Sequence, residues 1–444
     1  MLAVRVSFAK GNSFFYGKLV GCELIGALLA VRFKGDQMSL QRCFNVEDLR
    51  RIARHKLPAP MFHYIDGGAD DEWTQRRNSS RFDGYELRPR VLVDVAAISL
   101  KTRLLGTELA LPFFLAPTGM SRLFHHDKEI GVVRAAHKFG TLYSLSIMGS
   151  TSLEDIAAVS SGPKMFQLYI FKDRGLTREL VQRCKAAQYQ ALCLTVDTPV
   201  AGNRERDRVT GMVMPPRLTL KSLLSFVASP EWSWHFLLSP KFGLANVVHR
   251  VDALGQKGPM GLIEYVNSQF DRSITWDEAA WLVREWGGPF VIKGLSTVED
   301  ARRAASIGCS AIMISNHGGR QLDASPASID CLPPIRDAVG NNLELIVDGG
   351  IRRGTHVLKA LALGANACSI GRPYLYGLAA GGQSGVEQVI QLLRDELLRD
   401  MALLGCKDIT ELGSAQVQMV GERRSCLELA SIRGCNPGAV GEAE

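Results

Sequence analysis

A (β/α)8 barrel is the fold this sequence predicts, and three observations predict it. Eight short apolar runs recur along the chain, each closing on polar or glycine residues. Amphipathic stretches with helical spacing separate most of them. No G-x-G-x-x-G turn follows the first run, and a doubly wound sheet, the runner-up, would want one there. In such a barrel the polar strand ends gather at one mouth, where the active site sits.

Taken in order, residues 111–116 lead into Pro117, Thr118 and Gly119, and residues 141–145 into Ser146. Met165 and Phe166 lead into Gln167, Leu168 and Tyr169, and residues 191–194 into Thr195, Val196 and Asp197. Residues 290–292 end in Lys293 and Gly294. The run 311–314 opens onto Ser315, Asn316, His317, Gly318, Gly319, Arg320, Gln321, Leu322 and Asp323. Residues 345–347 end in Asp348, Gly349 and Gly350, and residues 367–370 in Gly371 and Arg372. Between them, residues 127–139, 177–189, 297–307 and 354–363 carry apolar residues at helical spacing, with a capping box expected from Thr297 to Asp300.

Composition narrows the class. With 444 residues, 46% hydrophobic and 22% charged, one barrel plus additions fits better than several separate domains. Ten cysteines are scattered without a C-x-x-C pair or a His/Cys cluster at zinc spacing, which points to a reducing compartment and away from a structural metal or a disulfide framework. Cys184, Cys193, Cys309 and Cys368 fall in helix or strand patterns and read as small core residues. A net charge of +7, with no basic patch interleaved with aromatics, argues against nucleic acid as a partner.

Two regions exceed a plain barrel. Residues 1–42 read as an N-terminal extension. Residues 19–33 are apolar but interrupted by Glu23, whereas a spanning helix needs roughly 20 apolar residues. No clear secretory signal is present, and the patterned sequence starts after Met38, so residues 1–37 are expected to be dispensable. The barrel is assigned to residues 43–413, with a short N-terminal helical cap, and residues 414–444 to a C-terminal tail.

The gap between the fourth and fifth runs is far longer than a usual βα connection. Its part 204–260 is read as an insertion. Residues 204–250 hold seven Lys/Arg against three Asp/Glu, with many Leu, Phe and Trp. Basic charge with apolar and aromatic side chains suits a segment lying in a membrane interface; a lid or subunit contact would bury the same side chains in protein. The part 217–241, with Trp232, Trp234 and Phe236 at the lipid boundary and Arg217, Lys221 and Lys241 at the headgroups, is expected to hold the chain on an anionic bilayer without spanning it.

The strand ends carry the chemistry. His317, a residue type whose unperturbed pKa lies near neutrality, suits a general base. Asp197, at the same mouth, would fix its tautomer and stabilise the imidazolium. Arg320 offers a planar fork for a carboxylate, as does Arg204, although Arg204 taken alone reads as part of a solvated charge run. Lys293, ending an apolar strand, needs an anionic partner. Asp348, Gly350 and Arg352, then Gly371 and Arg372, match the phosphate site expected after strands seven and eight.

With these residues in place, the chain resembles the FMN-dependent α-hydroxy-acid dehydrogenases and oxidases, the group of glycolate oxidase, L-lactate dehydrogenase and mandelate dehydrogenase. The resemblance covers about residues 44–413, and the run from Ser315 to Asp323 is highly specific to it. By that resemblance Tyr64 helps hold the substrate carboxylate, Tyr169 lies near the substrate oxygen, Asp197 partners the base His317, and Arg204 and Arg320 clamp the carboxylate. FMN is implied at Pro117, Thr118, Gly119, Ser146, Gln167, Thr195, Lys293, Ser315, Asp348, Gly350, Arg352, Gly371 and Arg372.

Gly119, where many oxidases carry alanine, resembles the dehydrogenases. So does the basic aromatic insertion, which resembles the membrane-binding segment of bacterial lactate and mandelate dehydrogenases. Residues 1–42 are too few for a heme-binding domain, unlike the flavocytochrome branch. The expectation is an (S)-2-hydroxy-acid dehydrogenase, peripheral on the cytoplasmic face of the inner membrane. It would take L-lactate first and mandelate second, pass electrons to a respiratory quinone, and assemble as a homotetramer. Met148 would help set the substrate. A soluble oxidase making hydrogen peroxide, and a barrel that binds FMN without turnover, are the competing readings.

Overall fold

The computed structural model describes residues 40–212, 219–238, 242–248 and 268–421. Met38, Arg217, Lys241 and the tail beyond residue 421 lie outside the described residues. The barrel lies wholly within the unit Phe44–Glu444.

Eight parallel strands close into that barrel: β1 (Phe113–Leu115), β2 (Tyr143–Ser146), β3 (Lys164–Leu168), β4 (Ala191–Thr195), β5 (Phe290–Leu295), β6 (Ala311–Ile314), β7 (Glu344–Asp348) and β8 (Ala367–Ile370). Each pairs with its neighbours in sequence order, and β8 pairs with β1 to complete the ring. Nearly every strand residue is buried, because side chains pack both into the barrel and against the outer helices. The four expected helices are present as Lys128–Lys138, Arg174–Ala186, Val298–Ser306 and Gly354–Ala362.

Thr297 caps its helix through a bond from the Asp300 N–H to its Oγ1 (3.2 Å). Asp300 answers the hydroxyl of Thr297 rather than its backbone N–H, so the expected box is half closed. The reciprocal box occurs at Thr275 and Glu278, opening helix Trp276–Trp286.

A hairpin of Thr102–Leu104 and Thr107–Leu109 plugs the N-terminal end of the barrel. Its Leu104, Leu105 and Leu109 join Phe114, Met165, Val291, Met313 and Ile346 in one buried cluster. Each such side chain contributes roughly 1.5–3 kcal/mol on burial. The C-terminal mouth is left for the ligand.

Helices Val46–Lys56, Ala59–Asp66 and Trp73–Ser80 form the N-terminal cap. Buried Asp66 ties it down, accepting from Arg50 Nε (2.6 Å), Tyr376 Oη (2.8 Å) and Arg206 Nη1 (3.0 Å). Burial alone would raise the Asp66 carboxyl, but Arg50 outweighs it and holds the group down at about 2. At the other end, Val417–Met419 pairs antiparallel with Tyr85–Leu87, so ordered pairing runs past the expected boundary at residue 413. A three-residue strand is too short to show periodicity in sequence.

Between β4 and Trp276–Trp286 the insertion contributes helices Glu205–Thr210, Leu220–Val227 and Pro230–Leu238. Two of the three aromatics expected at a lipid boundary face the barrel instead. Trp232 Nε1 donates to Leu123 O (2.9 Å), and Phe236 stacks on Trp232 and lies under the Arg122 guanidinium. The indole N–H found a carbonyl on the loop after β1, which fixes that face inward. Trp234 points outward with Leu220, Leu223, Leu224, Val227, Leu237 and Leu238. No helix among the described residues is long and apolar enough to cross a membrane.

Candidate active site

The mouth of the barrel opens into a cavity of about 1100 Å³. Residues from all eight strand ends and from the insertion line or border it. His317 sits just past β6 with a left-handed backbone (φ 57°), an uncommon conformation for a non-glycine residue. The neighbouring glycines Gly318 and Gly319 continue the left-handed turn, and an added Cβ on Gly319 would fall 2.5 Å from Gln75 N. The His317 N–H donates to Ser315 Oγ (3.1 Å), so the turn is held from inside.

His317 Nδ1 lies 2.9 Å from Asp197 Oδ1. A carboxylate only accepts, so Nδ1 carries the proton and the lone pair belongs to Nε2. Burial pushes the His317 imidazole below its ordinary value, with Asp197 opposing. Burial would raise Asp197, but His317 and Lys293 outweigh it and keep the carboxyl ionised and low. The pair is thus a neutral imidazole poised on a fixed anion.

Gly294 makes that placement possible. It bulges β5 between Lys293 and Leu295, and at φ 109° an added Cβ would lie 2.7 Å from the Asp197 Cβ.

Beside this pair, Tyr64 meets two cations. The guanidinium carbons of Arg320 and Arg204 sit 4.9 and 5.3 Å from its ring centroid. Arg320 donates to the carbonyls of Tyr64 and Gly67. Arg204 pairs with Asp207 (2.8 Å). Burial, then repulsion from Arg204, lowers Arg320 to about 10, so two like charges are held close, as an anion site requires.

Lys293 finds its anionic partner within the protein: Asp348 Oδ2 lies 3.3 Å from its Nζ, and Ser315 Oγ accepts at 3.1 Å. Burial disfavours the ammonium, but Asp348 and Asp197 outweigh it and raise its pKa. Asp348 also accepts from Ser315 Oγ (2.6 Å) and Ser369 Oγ, a residue the sequence reading missed because a strand serine looks like core.

Eight of the remaining expected cofactor residues line the same cavity: Pro117, Thr118, Gly119, Ser146, Gly350, Arg352, Gly371 and Arg372. Gln167 and Thr195 are not among its lining residues. Ser146 Oγ bonds Gln167 Oε1 (2.8 Å), and Thr118 Oγ1 meets the hydroxyl of buried Tyr374. Thr195 Oγ1 is buried without a partner, an orphan that a ligand would satisfy. Gly371 precedes the N-terminus of helix Arg372–Leu404, where backbone N–H groups suit an anion.

Arg372, expected on phosphate, donates to the carbonyls of Ile65 (3.0 Å), Gly318 (2.8 Å) and Gly67 (2.7 Å) and so also ties the cap to the His317 turn. Arg352 Nη1 donates to Ile351 O (2.7 Å). A glycine-shaped cradle, half-buried arginines, a helix N-terminus and an unpartnered hydroxyl are what a phosphate-bearing, planar cofactor needs, so these residues fit FMN.

Other contributors were not expected. Asn78 and Asn316 exchange paired amide bonds of 2.8 Å behind the turn. Asp323, which closes the Ser315 run, accepts from Trp73 N (3.1 Å) and Thr74 N (2.7 Å) and caps helix Trp73–Ser80. Phe270 packs on Tyr169 from the far end of the insertion. The seven described cysteines are buried and none is in a disulfide, in keeping with core roles.

Residues 53–419 match the family described as FMN-dependent dehydrogenase. L-lactate oxidase of a Nostoc species is 44% identical over 375 residues, which is 84% of this chain and 97% of that protein. Glycolate oxidase of Spinacia oleracea is 39% identical over 373 residues, 84% of this chain and 95% of that one. The crystal structure of the monotopic membrane protein (S)-mandelate dehydrogenase superposes with a TM-score of 0.81 at 35% identity, covering 85% of this chain and 99% of that chain.

Proposed function

This chain belongs to the FMN-dependent dehydrogenases, enzymes of 2-hydroxy-acid oxidation, and on that footing we propose that it converts L-lactate to the 2-oxo acid and passes the electrons to a respiratory quinone. One observation carries the catalytic part: His317, paired with Asp197, lines the cavity that Tyr64, Arg204 and Arg320 also enter.

Arg204 and Arg320 hold the substrate carboxylate, and Tyr64 beside them adds its hydroxyl. Tyr169 approaches the substrate oxygen. His317 Nε2 receives one proton as the carbinol loses its C–H and O–H bonds and gains a C=O; the other hydrogen and the electron pair would leave to the flavin. Asp197 stabilises the imidazolium that results. Lys293 brings a buried positive charge to the mouth. Arg352, Arg372 and the helix N-terminus after Gly371 would hold the cofactor phosphate, while Pro117, Thr118, Gly119, Ser146, Gln167, Thr195, Ser315, Asp348 and Gly350 would hold the rest. FMN, when bound, would supply the two-electron acceptor that this oxidation needs.

The outward apolar face of the insertion supports a peripheral seat on the cytoplasmic face of the inner membrane, close to a quinone. A homotetramer is part of the same reading. The likeness to an L-lactate oxidase favours a second reading, in which oxygen is the acceptor and peroxide the product. The shape match to (S)-mandelate dehydrogenase favours a third, with mandelate as substrate. Anaerobic bleaching of the bound flavin by a panel of 2-hydroxy acids tests substrate and activity together. Reoxidation by a quinone analogue against oxygen then separates the acceptors. A flavin that no 2-hydroxy acid bleaches would sink the proposal.

A further inference from the structure

The insertion rejoins the barrel at residues 268–271, and there it is clamped to the loop after β3. Phe270 forms an antiparallel bridge with Phe171. Lys172 donates from its N–H to Gln269 O and from Nζ to Ser268 O, each at 2.8 Å. Arg174 Nη2 pairs with Asp271 (2.7 Å).

These contacts fix the backbone on both sides of Phe270, and its half-buried ring projects into the cavity wall. The ring lies 4.9 Å from Tyr169, tilted by 59°, and 6.0 Å from Phe171, edge-on. Its rim neighbours Lys172, Asp271 and Arg272 are charged, so an apolar ring among them serves an apolar contact rather than solvation. Met148 borders the cavity on the Gly119 side; Phe270 borders it on the Tyr169 side.

We propose that Phe270 is a specificity-determining residue, the wall against which the substrate side chain ends, and that it selects short aliphatic 2-hydroxy acids over aryl ones. The inference rests on the reading of the cavity as a 2-hydroxy-acid site. A ring pinned through its backbone and braced by two aromatics cannot swing aside cheaply for a larger side chain. Truncating it opens space beside Tyr169 while leaving His317, Asp197 and both arginines in place.

The test is the ratio of kcat/KM for mandelate to that for lactate in purified, flavin-loaded wild type, Phe270→Ala and Phe270→Leu. A ratio taken within one enzyme cancels any loss of folded protein. Phe270→Ala should raise the ratio by roughly tenfold or more, the scale of small changes in an apolar pocket, and Phe270→Leu should raise it less. If Phe270→Ala fails to fold, Phe270→Leu keeps the contact with Phe171 and carries the test alone. A ratio unchanged within about twofold in every folded variant overturns the proposal but leaves the functional reading intact. A wild type whose flavin no 2-hydroxy acid bleaches overturns both.

Discussion

Met148 stands where a side chain on Gly119 would have to begin: an added Cβ would lie 2.7 Å from the Met148 Cβ and 3.1 Å from its carbonyl oxygen. The glycine therefore admits the Met148 loop to the cavity, and both residues line it. Gly119→Ala should push that loop outward. Displacements of this size near a reacting centre cost about 10²-fold. We expect a drop of that order in kcat/KM with flavin still bound. Met148→Ala should not rescue it, because the clashing Cβ remains, whereas Met148→Gly in the same chain should recover part of the loss. Stopped-flow flavin reduction in the single and double variants decides.

The His317–Asp197 pair predicts a pH profile. Burial lowers the His317 pKa, so the neutral base persists below the ordinary value of 6.5. The acid limb of kcat/KM should therefore lie below pH 6.5. Asp197→Asn removes the charge that opposes this shift, so the limb should move to still lower pH while the plateau falls. His317→Ala should cost about 10²–10⁴-fold or more in flavin reduction and keep the cofactor. An acid limb that stays put in Asp197→Asn would show that another group controls it.

The fold was legible because each barrel strand is a short apolar run with a polar or glycine end, and burial on both faces forces that pattern. The site was legible for the same reason, since the strand ends are the mouth. Lys293 shows the limit. Its isolation in an apolar strand signalled a partner, yet pairing with Asp348 spans residues far apart in sequence and appears only when β5 and β7 share a barrel. Arg372 and Asp323 read as ligand or motif residues, and their tertiary partners show that they also hold loops and caps. Trp232 and Trp234 are two residues apart with similar surroundings in sequence; only a carbonyl at Leu123 decides that one turns inward.

A column of three imidazoles joins the insertion to the barrel. His126 stacks on His125 (4.1 Å) and on His235 of helix Pro230–Leu238 (4.2 Å). Around it lie Asp127, Arg122, Lys56 and Glu231. Burial pushes both His125 and His126 below the ordinary value, with Asp127 opposing. A depressed histidine pKa means that the docked state resists protons which the released state accepts. Docking is therefore complete above about pH 6.5 and weakens as pH falls below it. Hydrogen exchange of residues 230–238, corrected for intrinsic rate, should be faster at pH 5 than at pH 7.5. His126→Phe, which stacks without titrating, should reduce that difference. Equal protection at both pH values in wild type would refute the joint.

The outer face of the insertion is apolar. Leu220, Leu223 and Leu224 on one helix, and Trp234, Leu237 and Leu238 on the next, are exposed, with Trp234 64% and Leu237 78% accessible. Side chains of this kind gain by entering a lipid interface, and their number exceeds what scattered surface residues explain. The inward face is already committed through Trp232, Phe236 and the Arg122 guanidinium, which donates to the carbonyls of His235 (3.0 Å) and Phe236 (3.3 Å). A variant that removes the whole segment would also remove those contacts and confuse folding with binding. The cleaner variant changes the outer face alone: Leu223→Glu, Trp234→Glu and Leu237→Glu together. Wild type should sediment with vesicles containing anionic lipid, and the triple variant should stay in the supernatant with flavin bound and lactate turnover by a soluble dye unchanged. If wild type also stays in the supernatant and reduces oxygen as fast as a quinone analogue, the exposed face serves another protein surface and the soluble oxidase becomes the better reading.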